Sequence, residues 1–211
     1  MRVTLKLATS LDGRIATAAG ESRWITGEAA REQVHRLRAQ HDVVLVGVGT
    51  VLADDPELTV RLPGWSGRQP ARAVLDTRQR TPLDSRLVQG SGDGRLYLFS
   101  DERPRSDLAE LGVKVLQAGH GRPDPADVLQ ALALEGFGSV FVEGGGQVAA
   151  SFLRAGVVDA LEWFRAPIVL GADGVPAVAD LAPETLANAP VFARRSASAL
   201  GADLWERYTR N

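Results

Sequence analysis

Polar and apolar residues alternate through Val3-Thr4-Leu5-Lys6-Leu7-Ala8-Thr9-Ser10 and then meet Leu11-Asp12-Gly13, which predicts a strand that ends in a turn. The period then lengthens. From Thr26-Gly27-Glu28 onward, Ala29, Ala30, Val34 and Leu37 recur about every 3.6 positions as far as Gln40, the mark of an amphipathic helix. Asp42 to Val48 is apolar on both faces, as in a parallel strand covered by helices, and it runs into Gly49-Thr50, where a loop is expected. Pro56 to Gln69 carries enough Gly and Pro to read as loop. Arg72 to Leu75, Leu96 to Ser100, Lys114 to Leu116 and Ser139 to Val142 read as short strands, with helices at Ser106 to Leu111, Ala126 to Leu134 and Gln147 to Ala155. Asp159 to Val169, Val191 to Leu200 and Asp203 to Tyr208 follow as strands with no helix between them, the last two suited to a hairpin. The order predicts an α/β fold, a mostly parallel central sheet flanked by helices and made mixed by a C-terminal antiparallel hairpin.

Length and composition narrow the classes. At 211 residues the chain fits a single domain, residues 1–211, and its 45% hydrophobic and 24% charged content suits a packed globule better than a disordered segment. No apolar run approaches the roughly 18 residues of a membrane helix, and MRVTLKLATS does not have the form of a secretory leader, so the expected location is the cytoplasm. The chain has no Cys, which excludes disulfides, thiolate catalysis and iron–sulfur ligation, and its three histidines, His35, His41 and His120, leave little from which to build a metal site. A net charge of −2 gives no field for nucleic acid, so an anionic ligand would need a local basic site. Lys6 and Lys114 are the only lysines among 24 basic residues, so a buried Lys would be more telling than any one Arg.

Three segments could carry chemistry. In VFVEGGGQV a buried strand delivers Glu143, Gly144 to Gly146 follow, and a helix begins, so that exposed amides at a helix N-terminus could take a phosphate or pyrophosphate. The spacing is neither G-x-G-x-x-G nor G-x-x-x-x-G-K-[ST], and a tight strand-to-helix turn is the alternative. Gly47 and Gly49 form a second glycine turn after a buried strand, suited either to the far end of the same dinucleotide or to close backbone packing. Asp54 and Asp55 before Pro56 most simply shape a turn, and Trp24 reads first as a core or staple residue.

The order KLATSLDGRIA, GESRWIT, LRAQHDVVLVGVGTVLADDPELTVR, ARAVLDT, VEGGG resembles the reductase domain of riboflavin biosynthesis, a family with the dihydrofolate-reductase-like fold. The resemblance spans nearly the whole chain, and S-L-D-G, S-x-W-I-T and G-T-V-L-A-D-D-P-x-L-T-x-R at these separations make it specific. It implies NADPH-dependent reduction of a 5-amino-6-(5-phosphoribosylamino)pyrimidine to its ribitylamino product. Hydride would go to C1′ of the ring-opened imine. It places Ala8, Trp24, Thr50 and Asp54 on the nicotinamide side of NADPH, the pyrophosphate on Gly144, Gly145, Gly146, Gln147 and Val148, and Thr77 near the adenosine ribose. Arg78 and Arg80 could favour a 2′-phosphate on electrostatic grounds. On the substrate side the resemblance implies Ser22, Arg38, Leu58, Arg61 and Glu143, with the two arginines and a hydroxyl suited to a 5′-phosphate. The candidate catalytic residues are Glu143, Asp54 and Lys6, the last if it points inward.

The zinc deaminase half of the two-part bacterial form, with its H-x-E and P-C-x-x-C ligands, has no counterpart in these residues, so the resemblance leaves open whether the pyrimidine arrives deaminated. A pterin reductase on the same fold is the alternative enzyme, and it would want an acid such as Glu28 or Glu32 near the start of the first helix. A non-catalytic NADPH-binding protein is the alternative of another class. The apolar content and strand-rich C-terminus also suggest a homodimer.

Overall fold

The computed structural model describes residues 1–119 and 121–211; His120 lies outside the described residues. The elements run β1 (Arg2–Thr9), β2 (Arg14–Ala16), α1 (Glu28–Ala39), β3 (Val43–Gly47), α2 (Val48–Asp54), β4 (Ala71–Leu75), α3 (Arg86–Gln89), β5 (Leu96–Phe99), α4 (Ser106–Glu110) and β6 (Val113–Leu116). They continue with α5 (Pro125–Leu134), β7 (Ser139–Gly144), α6 (Gly146–Arg154), β8 (Ala160–Arg165), β9 (Val175–Pro176), β10 (Phe192–Leu200) and β11 (Asp203–Arg210). Nine strands form one sheet in the order β10-β11-β8-β1-β7-β3-β4-β5-β6, and β2 and β9 pair separately. The pairs from β8 to β6 are parallel, while β11 runs antiparallel to both β8 and β10, so the expected mixed sheet with its C-terminal hairpin is present.

All five residues of β3 are buried because helices cover both faces of the sheet. On one face Val3, Leu5, Val43, Leu45, Val140 and Val142 pack with Val128 and Leu132 of α5 and Phe152 of α6. On the other, Val44, Val46, Val74, Leu96 and Leu98 pack with Leu87 of α3 and Leu108 of α4, and Phe141 and Phe164 meet Ala30 and Leu37 of α1. Among the described residues no helix is long and apolar enough to cross a membrane.

Three expectations need correction. The residues after β3 do not open a loop: Gly47 caps α2, whose Val48 and Val51 join the second core cluster. Burial of these side chains outweighs the low helix propensity of Gly49. Trp24 is not a core residue, since 70% of it is exposed. The strand expected over Asp159 to Val169 is confined to Ala160–Arg165, the span in register with β1 and β11.

After β3 the chain turns to one face, and after the adjacent, parallel β7 it turns to the other through α6. Neighbouring strands whose continuations part in this way leave a crevice at their carboxyl ends. Gly47 ends β3 and Gly144 ends β7 at this point.

Candidate functional site

The crevice begins with backbone. Gly144 and Gly145 have φ of +79° and +83°, which a side chain would strain, and Gly145 caps α6 without a side-chain hydrogen bond to the first turn. The amides at the start of this nine-residue helix thus have no capping side chain, which suits them to an anion. Thr50 Oγ1 donates to Gly144 O at 3.5 Å, and a Cβ on Gly145 would stand 3.5 Å from that hydroxyl, so α2 and the glycine turn form the two walls. A Cβ on Gly146 would collide with Pro176 O, and Ala179 donates its amide to Gly146 O at 3.0 Å. Gly47 serves packing: a Cβ there would lie 2.8 Å from Val148 Cγ2. Buried Val148 can therefore offer the crevice only its amide, whereas Gln147 is exposed.

Beside the glycines stands a charged cluster. Alternation on β7 turns Glu143 to the α1 side, and Arg38 reaches it from α1 with Nε–Oε1 at 2.5 Å and Nη2–Oε2 at 3.0 Å, while Nη1 donates to Thr59 O at 2.9 Å. Only 11% and 8% of the two side chains is exposed. Burial pushes the Glu143 carboxyl up, but Arg38, through its charge and hydrogen bonds, with Lys6 and His35, holds it below its ordinary value. Lys6 shares this face, on the strand whose Leu5 pairs with Val142. Its ammonium has no hydrogen-bond partner among the described residues. Burial lowers its pKa, with Glu143 and Asp54 acting against burial and Arg38 with it.

Ser22 Oγ donates to Asp54 Oδ1 at 3.4 Å and Arg23 Nη2 to Asp54 O at 2.5 Å, which draws the 17–27 loop to the end of α2. Trp24 stands at the rim under the Arg31 guanidinium, 4.5 Å from its ring centroid. Arg61 Nη1 donates to Glu57 Oε2 at 2.8 Å, and Arg61 lies near enough to Arg38 and Glu143 to feel both charges. Leu58 has φ +56° and its side chain is buried in the second cluster, so it can present only backbone to the cleft. Ala8 is half-buried on β1. Thr77 follows β4 and its carbonyl accepts from Ser100 Oγ at 3.0 Å; Arg78 and Arg80 are exposed.

Two residues of this region were not singled out as site residues from sequence. His35 sits between Arg38 and Arg61, a placement that the helical spacing of Arg31, His35 and Arg38 could have shown. Asp12 does more than turn the chain. It accepts from Ser10 Oγ at 2.6 Å, Leu170 N at 3.1 Å and Gly171 N at 2.7 Å, which hold its carboxyl down to about 2 and tie the turn after β1 to the segment after β8. Glu28 and Glu32 are exposed, with Glu32 taken by Arg36 at 2.7 Å, so neither supplies the buried acid that a pterin site would want.

Comparison with known proteins places this geometry. Residues 1–204 match the family model described as the RibD C-terminal domain. The riboflavin biosynthesis protein RibD of Bacillus amyloliquefaciens is 43% identical over 180 residues, covering 83% of this chain and 48% of that protein. The crystal structure of a diaminohydroxyphosphoribosylaminopyrimidine deaminase/5-amino-6-(5-phosphoribosylamino)uracil reductase from Thermotoga maritima superimposes with a TM-score of 0.84 at 28% identity, over 100% of this chain and 56% of that one. A dihydrofolate reductase from Enterococcus faecalis, complexed with NADP(H) and RAB-propyl, shares the fold at a TM-score of 0.54 and 14% identity, over 100% of this chain and 96% of that one. The chain thus spans about half the length of the curated relatives it matches.

Proposed function

We propose, from the premise that the chain belongs to the RibD C-terminal domain family, that residues 1–211 act as one NADPH-dependent reductase unit in riboflavin biosynthesis. The substrate is a 5-amino-6-(5-phosphoribosylamino)pyrimidine and the product its ribitylamino counterpart. The observation that carries the reading is the buried Arg38–Glu143 pair, with Lys6 beside it, set against a glycine turn that offers free amides. A cleft that joins a backbone anion cradle to fixed guanidinium and carboxylate groups suits two ligands, one of them a dinucleotide.

The cradle fits NADPH. Gly144, Gly145, Gly146, Gln147 and Val148 would hold the pyrophosphate on their amides, with Thr50 on the facing wall. Ala8, Trp24 and Asp54 would border the nicotinamide, Thr77 the adenosine ribose, and Arg78 and Arg80 a 2′-phosphate. When bound, the coenzyme supplies a hydride. The chain's own residues position the acceptor. Arg38, Arg61, Ser22 and the Leu58 backbone would orient the sugar phosphate, and Glu143 would hold the sugar hydroxyls. Opening of the ribosyl ring puts a proton on the ring oxygen as the amine nitrogen gives one up to leave the imine, and hydride at C1′ then calls for a proton at that nitrogen, so the two steps together need one proton from the enzyme. Lys6, unpaired and less basic than an ordinary lysine, is the group placed to give it, with Glu143 and Asp54 setting its charge.

The test is coenzyme oxidation, followed by near-ultraviolet absorbance, with the phosphoribosylaminouracil, its aminated precursor and dihydrofolate. Turnover with either phosphoribosylamino compound and none with dihydrofolate supports the reading; turnover with dihydrofolate alone overturns it. On this reading the protein works in the cytoplasm, with that substrate and coenzyme. We also propose a homodimer, because β10 is a largely exposed edge strand flanked by exposed Val191. A monomeric mass at micromolar concentration in sedimentation would refute it.

A further inference from the structure

The α1 spacing puts Arg31, His35 and Arg38 on one stripe of the helix, facing the rim and the 57–61 segment. Arg31 lies over Trp24 and Arg38 is taken by Glu143, which leaves the imidazole between them. His35 Nδ1 is 3.1 Å from Thr59 O and 3.2 Å from Arg61 N. These neighbours ask for opposite things. The Arg61 amide needs a lone pair on Nδ1, and the Thr59 carbonyl needs a proton there. The ring can therefore satisfy one bond in either protonation state, and the segment carrying Arg61 is held in both. Nε2 has no hydrogen-bond partner among the described residues.

The groups facing this ring are Arg38 from its own helix, Arg61 from the loop and Glu143 from β7. Burial, then Arg38 and Arg61, lower the His35 pKa against the Thr59 carbonyl and Glu143, so the ring is neutral at pH 7 when no anion is present. We propose that His35 is a further phosphate-binding residue of this cleft: protonated at both nitrogens, it donates from Nε2 to the substrate's phosphate held by Arg38 and Arg61 and from Nδ1 to Thr59 O. Phosphate and proton then enter together. The proposal rests on the reading that the cleft holds a sugar phosphate.

Only three histidines are present, so side-chain NMR of the imidazoles resolves each in the full chain, with His35→Asn identifying the signal. The probe is ribose 5-phosphate, with ribose as control. Saturating ribose 5-phosphate should raise the His35 midpoint by about one unit or more, and ribose should leave it unmoved. His41, bonded through Nδ1 to Leu37 O and through Nε2 to Thr4 Oγ1, should not respond to either. By linkage, affinity for ribose 5-phosphate should fall between pH 6 and 8 by about tenfold more in the natural protein than in His35→Asn, because the ligand's own ionisation near pH 6 is common to both. If ribose 5-phosphate binds, and Arg61→Ala weakens it, yet the His35 midpoint stays put, this assignment is overturned while the reductase reading stands. No binding at millimolar ribose 5-phosphate overturns both the phosphate cleft and the assignment.

Discussion

Arg38 and Glu143, 105 residues apart in sequence, meet as a two-point ion pair with almost no access to water. Such a pair stabilises less than its charges suggest, because both must be desolvated, but losing one partner strands the other. Arg38→Ala should therefore lower unfolding stability by about 3 kcal/mol in urea titrations, the lower part of the range for broken buried pairs because Lys6 remains near Glu143. The Glu143 carboxyl is less readily protonated folded than unfolded. The pair's contribution is accordingly whole above the unfolded pKa of about 4.3 and lost as pH falls through the lower folded value. An acid-unfolding midpoint that is the same in the natural protein and in Glu143→Gln would contradict this.

Gly145→Val tests the cradle. A residue with a side chain at φ +83° costs about 1–2 kcal/mol, and its Cβ would stand against Thr50 Oγ1 on the opposite wall. NADPH affinity, read by quenching of tryptophan fluorescence, should drop at least about tenfold. Unaltered affinity in a folded variant would remove the cradle from the coenzyme site.

Lys6 should leave its mark on the alkaline side. Its pKa is lowered by burial, so between its folded value and the ordinary value near 10.5 the unfolded chain holds more protons, and stability should rise with pH across that window. Turnover should do the opposite, falling as Lys6 loses the proton it is proposed to donate. Lys6→Met should lower kcat by about 100-fold or more and abolish that alkaline limb. A limb that survives in the variant belongs to another group.

Arg61 is half exposed and shares its guanidinium with Glu57, so its hold on a phosphate is screened. Arg61→Ala should raise KM about tenfold for the phosphorylated substrate and little for its dephosphorylated analogue. Equal effects on both would mean that Arg61 only braces the loop through Glu57.

The sequence disclosed the sheet better than it disclosed the cleft. β3 and the Val140 to Val142 stretch of β7 announce themselves because strands covered on both faces run apolar, and β10 and β11 because they run long without a helical period. The helix α2 was concealed by Gly47 and Gly49, whose local preference points away from a helix that only tertiary burial of Val48 and Val51 sustains. In the cleft, the glycine amides could be read from residue types and order alone. The Arg38–Glu143 contact, the crowding of Lys6 and the double-faced bond of His35 arise where α1 crosses the strand ends, which no periodicity reports. Leu58 shows the same limit in reverse, for its side chain goes to the core.

The position of β1 carries a consequence for synthesis. Of the strands in this sheet β1 is made first, yet it is seated between β7 and β8, so both of its edges wait for partners about 140 to 160 residues behind it. Until then its apolar face and open backbone are free to pair wrongly, and the nascent chain should be a client for holding chaperones until late in translation.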